Sequence, residues 1–322
     1  MKKISLLFVI ILLLFTGCST TQKTKTWKFG VIADNRGGNP SHRAVMHAMK
    51  SNEVEIIINL GDSVYPAKGC HWSDMTNDMQ AAFGNELKDI LNKYFLASGG
   101  WEEQTINQPQ RLKNPKISKE NWHYKGSYGW PGYEPDNKSG QQFYKKYYQY
   151  KERAQKKNSY ILDYDSIGDY YAKYKNLHVL SLYLPDEWHE KGKYWPGDNP
   201  EEREKGWKKQ VKWLETHLIN IRKKYPDAII AVLGHDANWL DKKDNSFEGQ
   251  LCVLLKKYKV DLAFCGDAHV YKHYPDSTTL KFMVVASLAK GQGGYLLVTV
   301  DNKKLKVENC NDDGKVLNTF LK

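Results

Sequence analysis

Residues 54–62 read VEIIINLGD, an apolar run that stops at Gly61-Asp62 and is followed three positions on by Tyr65. A run of this kind is a strand covered on both faces, as parallel strands of α/β sheets are. The pattern recurs. WKFGVIAD ends at Asp34, AIIAVLGHD delivers His235, and VDLAFCGDAH delivers Asp267 and His269. In open α/β sheets, ligands sit just outside the carboxyl ends of the strands. One Asp after a strand is an ordinary turn residue. Asp34, Asp62, Tyr65, His235, Asp267 and His269 at successive strand ends mark one edge of the sheet as a metal site.

The order and spacing of these residues resemble the calcineurin-like metallophosphoesterases, with one detail of their purple acid phosphatase branch. The first motif of that superfamily, Asp-x-His or Asp-x-Gly, corresponds to Asp34-Asn35-Arg36. The second corresponds to Gly61-Asp62-Ser63-Val64-Tyr65, with Tyr at the position where the purple acid branch has it. The third, Gly-Asn-His followed by an acid, aligns with Gly99-Gly100-Trp101-Glu102, the fourth with His235, and the fifth with Gly266-Asp267-Ala268-His269. The resemblance covers roughly residues 27–300. It implies a four-layer αββα sandwich, two mixed sheets flanked by helices, in the α/β (α+β) class. It also implies one or two divalent or trivalent ions per chain, manganese, iron or zinc. Asp34, Asp62, Tyr65 and His269 match the ligands of a first ion. Asp62, His235 and Asp267 match what remains for a second.

The departures bear on activity. Gly100 stands where the family has a metal-binding Asn, and Trp101 stands where it has a His that assists the phosphate. Asp267 replaces the first His of the fifth motif, and carboxylate favours harder ions. Two ions about 3.5–4 Å apart clamp the attacking and leaving oxygens of an in-line displacement, and bound water reaches a pKa near 7. Arg36, two residues beyond Asp34, is suited to pair bidentately with phosphate or sulfate and to replace part of the lost charge. The general acid stays open between Glu102 and His71, and Tyr65, in a chain with 21 tyrosines, has a packing role as its alternative. His123 is the other candidate for the third motif.

The start of the chain addresses it out of the cytoplasm. Lys2 and Lys3 precede an apolar run from Ile4 to Phe15, then Thr16-Gly17-Cys18. A charged segment, an apolar segment and small residues before a cleavage point make a secretory signal, too short for a spanning helix. Thr16-Gly17-Cys18 resembles a bacterial lipobox, with Phe15 where Leu is usual and ordinary cleavage as the alternative. Residues 1–17 are then a lipoprotein signal peptide, Cys18 the lipidated residue, 18–26 a polar tether and 27–322 one domain. The expected location is the cell envelope, on the outer membrane or periplasmic face in a Gram-negative host.

The formal charge of +11 is spread over lysine-rich stretches, a solvated face that attracts anionic substrates at long range. No nucleic-acid motif accompanies it. Cys70, Cys252, Cys265 and Cys310 lack zinc-type spacing, and Cys265, within an apolar strand, reads as a small buried hydrophobe. Helices are expected over 40–51, 77–94, 200–224 and 246–258. Val211, Leu214, Leu218 and Ile221 form an apolar stripe in the third. KFMVVAS, GGYLLVTV and KLKVENC read as terminal antiparallel strands. Residues 101–160 are aromatic-rich and form an insertion of a length that is uncommon unless it binds something or is disordered, with a lysine- and tyrosine-bearing cover for the sheet as the alternative. The leading function is hydrolysis of a phosphate mono- or diester by metal-bound hydroxide. Its rival is an inactive protein of the same fold that binds a glycan or protein partner.

Overall fold

The computed structural model describes residues 26–35, 39–61, 72–97, 154, 156–157, 159–164, 169–183, 200–236, 239–240, 246–274, 279–283 and 294–322. The signal peptide, Cys18, residues 18–25 of the tether, Arg36, Asp62, Tyr65, Cys70, His71, 99–102, His123 and almost all of the 101–160 insertion lie outside them. Strands β1 (Trp27–Ile32), β2 (Ile56–Asn59) and β3 (Tyr94–Leu96) run parallel. With β11 (Gly294–Asp301), β12 (Lys304–Asn311) and β13 (Val316–Leu321) they form a six-stranded sheet, ordered β13-β12-β11-β1-β2-β3. The second sheet holds β4 (Ile161–Tyr164), β5 (Tyr170–Tyr174), β6 (Leu177–Ser181), β7 (Ile229–Leu233), β8 (Leu262–Cys265), β9 (Lys272–Tyr274) and β10 (Leu280–Met283). Its order is β4-β5-β6-β7-β8-β10-β9, with β6, β7, β8 and β10 mutually parallel.

Three separate apolar clusters define four layers. One lies between the sheets and joins Phe29, Val31, Ile56 and Ile58 to Val179, Ala231, Leu233 and Phe264. A second packs the first sheet against α1 (Pro40–Ser51), α2 (Trp72–Phe83) and α3 (Leu87–Asn92). The third packs the second sheet against α4 (Pro200–Lys224) and α5 (Phe247–Lys257). The central strands are buried at every position, IIIN in β2, IIAVL in β7 and LAFC in β8, because both faces of each are covered. The expected αββα sandwich of two mixed sheets is therefore the fold. Cys265 is fully buried, as its place in an apolar run implies.

Helix α1 has the expected bounds: the Asn39 side chain caps it by accepting the Ser41 N–H at 2.9 Å, and Pro40 follows in the first turn. Leu214, Leu218 and Ile221 of the α4 stripe are buried, with Val211 packed beside them. Two expectations need correction. The helix read over 77–94 begins at Trp72, is interrupted by a 3-10 turn at Gly84–Glu86, and ends at Asn92, so that Tyr94 opens β3. The segment beginning KFM does not join the terminal hairpins: Lys281–Met283 belong to β10, which lies parallel to β8 in the other sheet. The terminal meander is β11-β12-β13 instead, and Asn302 turns its first hairpin at φ 57°.

A buried polar contact ties α1 to α2: His42 Nδ1 lies 2.9 Å from Asp78 Oδ2, with both side chains fully buried, and Arg43 Nε donates to Asp78 Oδ1 at 3.0 Å. On the other side of the molecule, His178 of β6 is 1 % exposed, and its Nδ1 lies 2.7 Å from the Tyr171 hydroxyl oxygen. Burial, then the nearby Lys173 and Arg222, push the imidazole down to about 4 from an ordinary 6.5. The unfolded chain thus takes up a proton at this residue that the folded chain refuses. Its stabilising contribution is whole above about pH 6.5 and is lost as pH falls towards about 4. Urea unfolding at about pH 7 and about pH 4.5 tests this: His178→Phe should lose less stability over that interval than wild type does. Equal losses in the two proteins would refute it.

Candidate metal centre

The carboxyl ends of β1, β2, β7 and β8 meet at one edge, where the two sheets approach. Pairing of β1 with β2 continues past both strands: Leu60 N–H donates to Ile32 C=O and Asp34 N–H to Gly61 C=O, each at 2.8 Å. Gly61 takes φ 108°, a region open to glycine, which lets the chain turn out of the sheet directly before Asp62. Gly266 N–H donates to His235 C=O at 2.9 Å and ties the end of β8 to the end of β7.

Asp34 is fully buried and stands at φ 49°, while Asp267 and His269 stand at 66° and 57°. Three side-chain-bearing residues in the left-handed region within one site store backbone strain of about 1–3 kcal/mol each, a cost that clusters at functional sites. The two oxygens of Asp34 have different surroundings. Oδ2 accepts the Asp267 N–H at 3.1 Å. Oδ1 lies 3.4 Å from Nε2 of His269 and 4.0 Å from Nε2 of His235. One carboxylate oxygen and two imidazole nitrogens thus gather at one point.

His235 is oriented by the other sheet. Its Nδ1 lies 2.8 Å from the Leu60 carbonyl oxygen, which can only accept, so Nδ1 carries the proton. The neutral ring then bears its lone pair on Nε2, the form that ligates a metal, with the carbonyl as the outer partner such a histidine requires. No residue type signals this contact in the sequence, because the acceptor is main chain. Gly266 completes the packing: a Cβ there would stand 2.8 Å from Asp34 Oδ2, 3.0 Å from Ala33 Cβ and 3.4 Å from His235 Nδ1.

Of the residues expected at the metal edge, the structure brings Asp34, His235 and His269 together, and Asp267 joins them through its main chain. Asp62, Tyr65 and Arg36 lie outside the described residues. Among the described residues no group of three or more His, Cys, Asp or Glu is placed to hold a metal ion by itself. The donor set, hard carboxylate with neutral imidazole, suits zinc, iron or manganese. The residues present fit such an ion as part of a shell.

Comparison with curated proteins yields no match. Among solved structures, GAP50, the anchor in the inner membrane complex of Plasmodium, is similar at 14% identity. The match covers 92% of this chain and 88% of that one, with a TM-score of 0.51, a likeness of fold. A predicted phosphoesterase from Streptococcus pneumoniae is similar at 9% identity, covering 93% of this chain and 99% of that one, with a TM-score of 0.38. A putative 5'-nucleotidase from Staphylococcus aureus is similar at 13% identity and a TM-score of 0.42, covering 92% of this chain and 54% of that one. The family model described as calcineurin-like phosphoesterase matches residues 28–271, most of the chain, including the carboxyl ends of β1, β2, β7 and β8. With that match over most of its length and two mixed sheets flanked by helices, this chain belongs to the calcineurin-like phosphoesterase family.

Proposed function

We propose that this protein hydrolyses a phosphate ester with the help of bound metal at the Asp34 edge. The observation that carries the reading is the gathering of Asp34 Oδ1, His269 Nε2 and His235 Nε2 within 4.0 Å, with His235 fixed in its ligating tautomer by the Leu60 carbonyl. Asp62 and Tyr65 complete the shell in this reading, and Asp267 contributes towards a second ion. When bound, manganese, iron or zinc activates water and offsets charge on phosphoryl oxygens. The chain's own residues do the rest. Asp34 and the two histidines supply preset donors, the Asp267 N–H holds Asp34 in place, and Arg36 pairs with the anionic substrate. We further propose an exported lipoprotein, anchored through Cys18, whose excess of positive charge draws anionic esters to the edge.

Elemental analysis of the protein lacking residues 1–25, beside Asp62→Asn, tests the reading. One or two ions per chain in wild type, reduced in the variant, is the expected result, followed by turnover in a screen of phosphate mono- and diesters. A chain that takes up no manganese, zinc or iron on soaking would favour the partner-binding alternative, which the altered Gly100-Trp101 pair supports. Arg36→Ala is expected to raise KM by about tenfold, the order of one charge-assisted hydrogen bond, with metal content unchanged. Loss of metal in that variant would assign Arg36 to the fold instead.

A further inference from the structure

Asn59 is the polar end of an otherwise apolar strand, and its side chain is fully buried. Asparagine is a poor strand former, and a buried amide is costly unless its hydrogen bonds are made. Here they are made in a particular direction. Asn59 Oδ1 accepts the Gly61 N–H at 3.0 Å. A backbone N–H can only donate, so the oxygen of Asn59 faces Gly61 and its nitrogen faces the other way. Nδ2 then donates to Asn35 Oδ1 at 2.8 Å and to the Tyr94 hydroxyl oxygen. This fixes the Asn35 amide too, since it must present oxygen to Asn59.

The two contacts fall on the neighbours of two expected metal ligands. Asn35 follows Asp34 in the chain, and Gly61 precedes Asp62. The loop closes through the main chain, because the Gly61 carbonyl accepts the Asp34 N–H at 2.8 Å. One amide therefore grips both strand ends from below, while Tyr94 of β3 holds it from the core side.

We infer that Asn59 is a positioning residue for the metal centre: it sets Gly61, and through Gly61 the backbone of Asp34, so that the Asp34 side of the centre is held before an ion arrives. The inference rests on the metal-dependent reading above, and it assigns to the centre a residue that touches no ion. Residues that orient metal ligands typically change affinity by about 10–100-fold when removed.

The test uses wild type, Asn59→Leu and Asn59→Asp, with two readouts. Amide hydrogen exchange on metal-free protein is the first. In Asn59→Leu the Gly61 N–H loses its acceptor, so Gly61 and Asp34 should exchange at least about fivefold faster, with Ile57 and Ile58 unchanged. Manganese titration is the second. Affinity should fall about 10–100-fold in Asn59→Leu. In Asn59→Asp, which keeps an oxygen towards Gly61, protection should persist and affinity stay within about tenfold of wild type.

Unchanged protection at Gly61 in the leucine variant overturns the inference, and so does faster exchange with unchanged manganese affinity. If the leucine variant does not fold, the aspartate variant decides. Lost Gly61 protection in a folded Asn59→Asp protein contradicts the clamp, and retained protection with retained affinity supports it. A wild-type chain that binds no manganese, zinc or iron sinks the functional reading and the metal role of Asn59, while the exchange data still decide whether the clamp exists.

Discussion

Replacing Gly266 by alanine is expected to weaken metal binding at the Asp34 edge severely while leaving the sandwich folded. The added methyl would stand 2.8 Å from Asp34 Oδ2, 3.0 Å from Ala33 Cβ and 3.4 Å from His235 Nδ1. None of these neighbours can withdraw cheaply. Ala33 is a short side chain on fully buried backbone, Asp34 is held by the Asp267 N–H, and His235 is held by the Leu60 carbonyl. Close-packed interiors transmit such a clash as displacement, and overpacking by one methyl costs about 1–3 kcal/mol. The least costly relief turns the Asp34 carboxylate or the imidazole, the two groups whose aim matters. Metal affinity should fall by about 100-fold or more, the upper range for disturbed ligand orientation. The far-UV spectrum should stay as in wild type. Titration with manganese and a thermal melt on the same samples would check this, and a Gly266→Ala protein with wild-type affinity would show that Asp34 and His235 are not ligands.

The strand ends were the legible part of this chain. Apolar runs closing on Asp34, His235, Asp267 and His269 give both the strands and the edge where their ends meet, because a buried strand and the polar residue that ends it are local features. What pairs with what is not local. β10 has the same apolar character whether it joins the terminal meander or lies beside β8, and only the layer around it decides. β3 was hidden for a related reason: Ile90, Leu91, Tyr94 and Phe95 continue a helical spacing, although the last two are buried in a strand. At the site, the sequence gives no hint that His235 is oriented by Leu60, since the acceptor is a carbonyl that every residue owns. Asn59 did carry a signal, a lone amide in an apolar strand. Its meaning needs the contacts to Asn35 and Gly61.

The exchange Asp34→Asn should separate folding from function most sharply, because the two oxygens of Asp34 have unlike roles. Oδ2 accepts the Asp267 N–H, and an amide can satisfy that contact only with its oxygen. The amide nitrogen is then forced to the Oδ1 position, 3.4 Å from His269 Nε2 and 4.0 Å from His235 Nε2. A donor would occupy the point where a cation needs an acceptor, and it would face the lone pair of His235. The substitution also removes a fully buried negative charge, whose desolvation burdens the metal-free fold. The two effects have opposite signs. The metal-free variant should melt at or above the wild-type temperature, whereas its manganese affinity and phosphoesterase turnover should fall by about three orders of magnitude, the loss of about 4 kcal/mol of binding. A variant that loses stability together with metal would make Asp34 a structural carboxylate. One that keeps its metal would move the ion away from the Asp34 edge altogether.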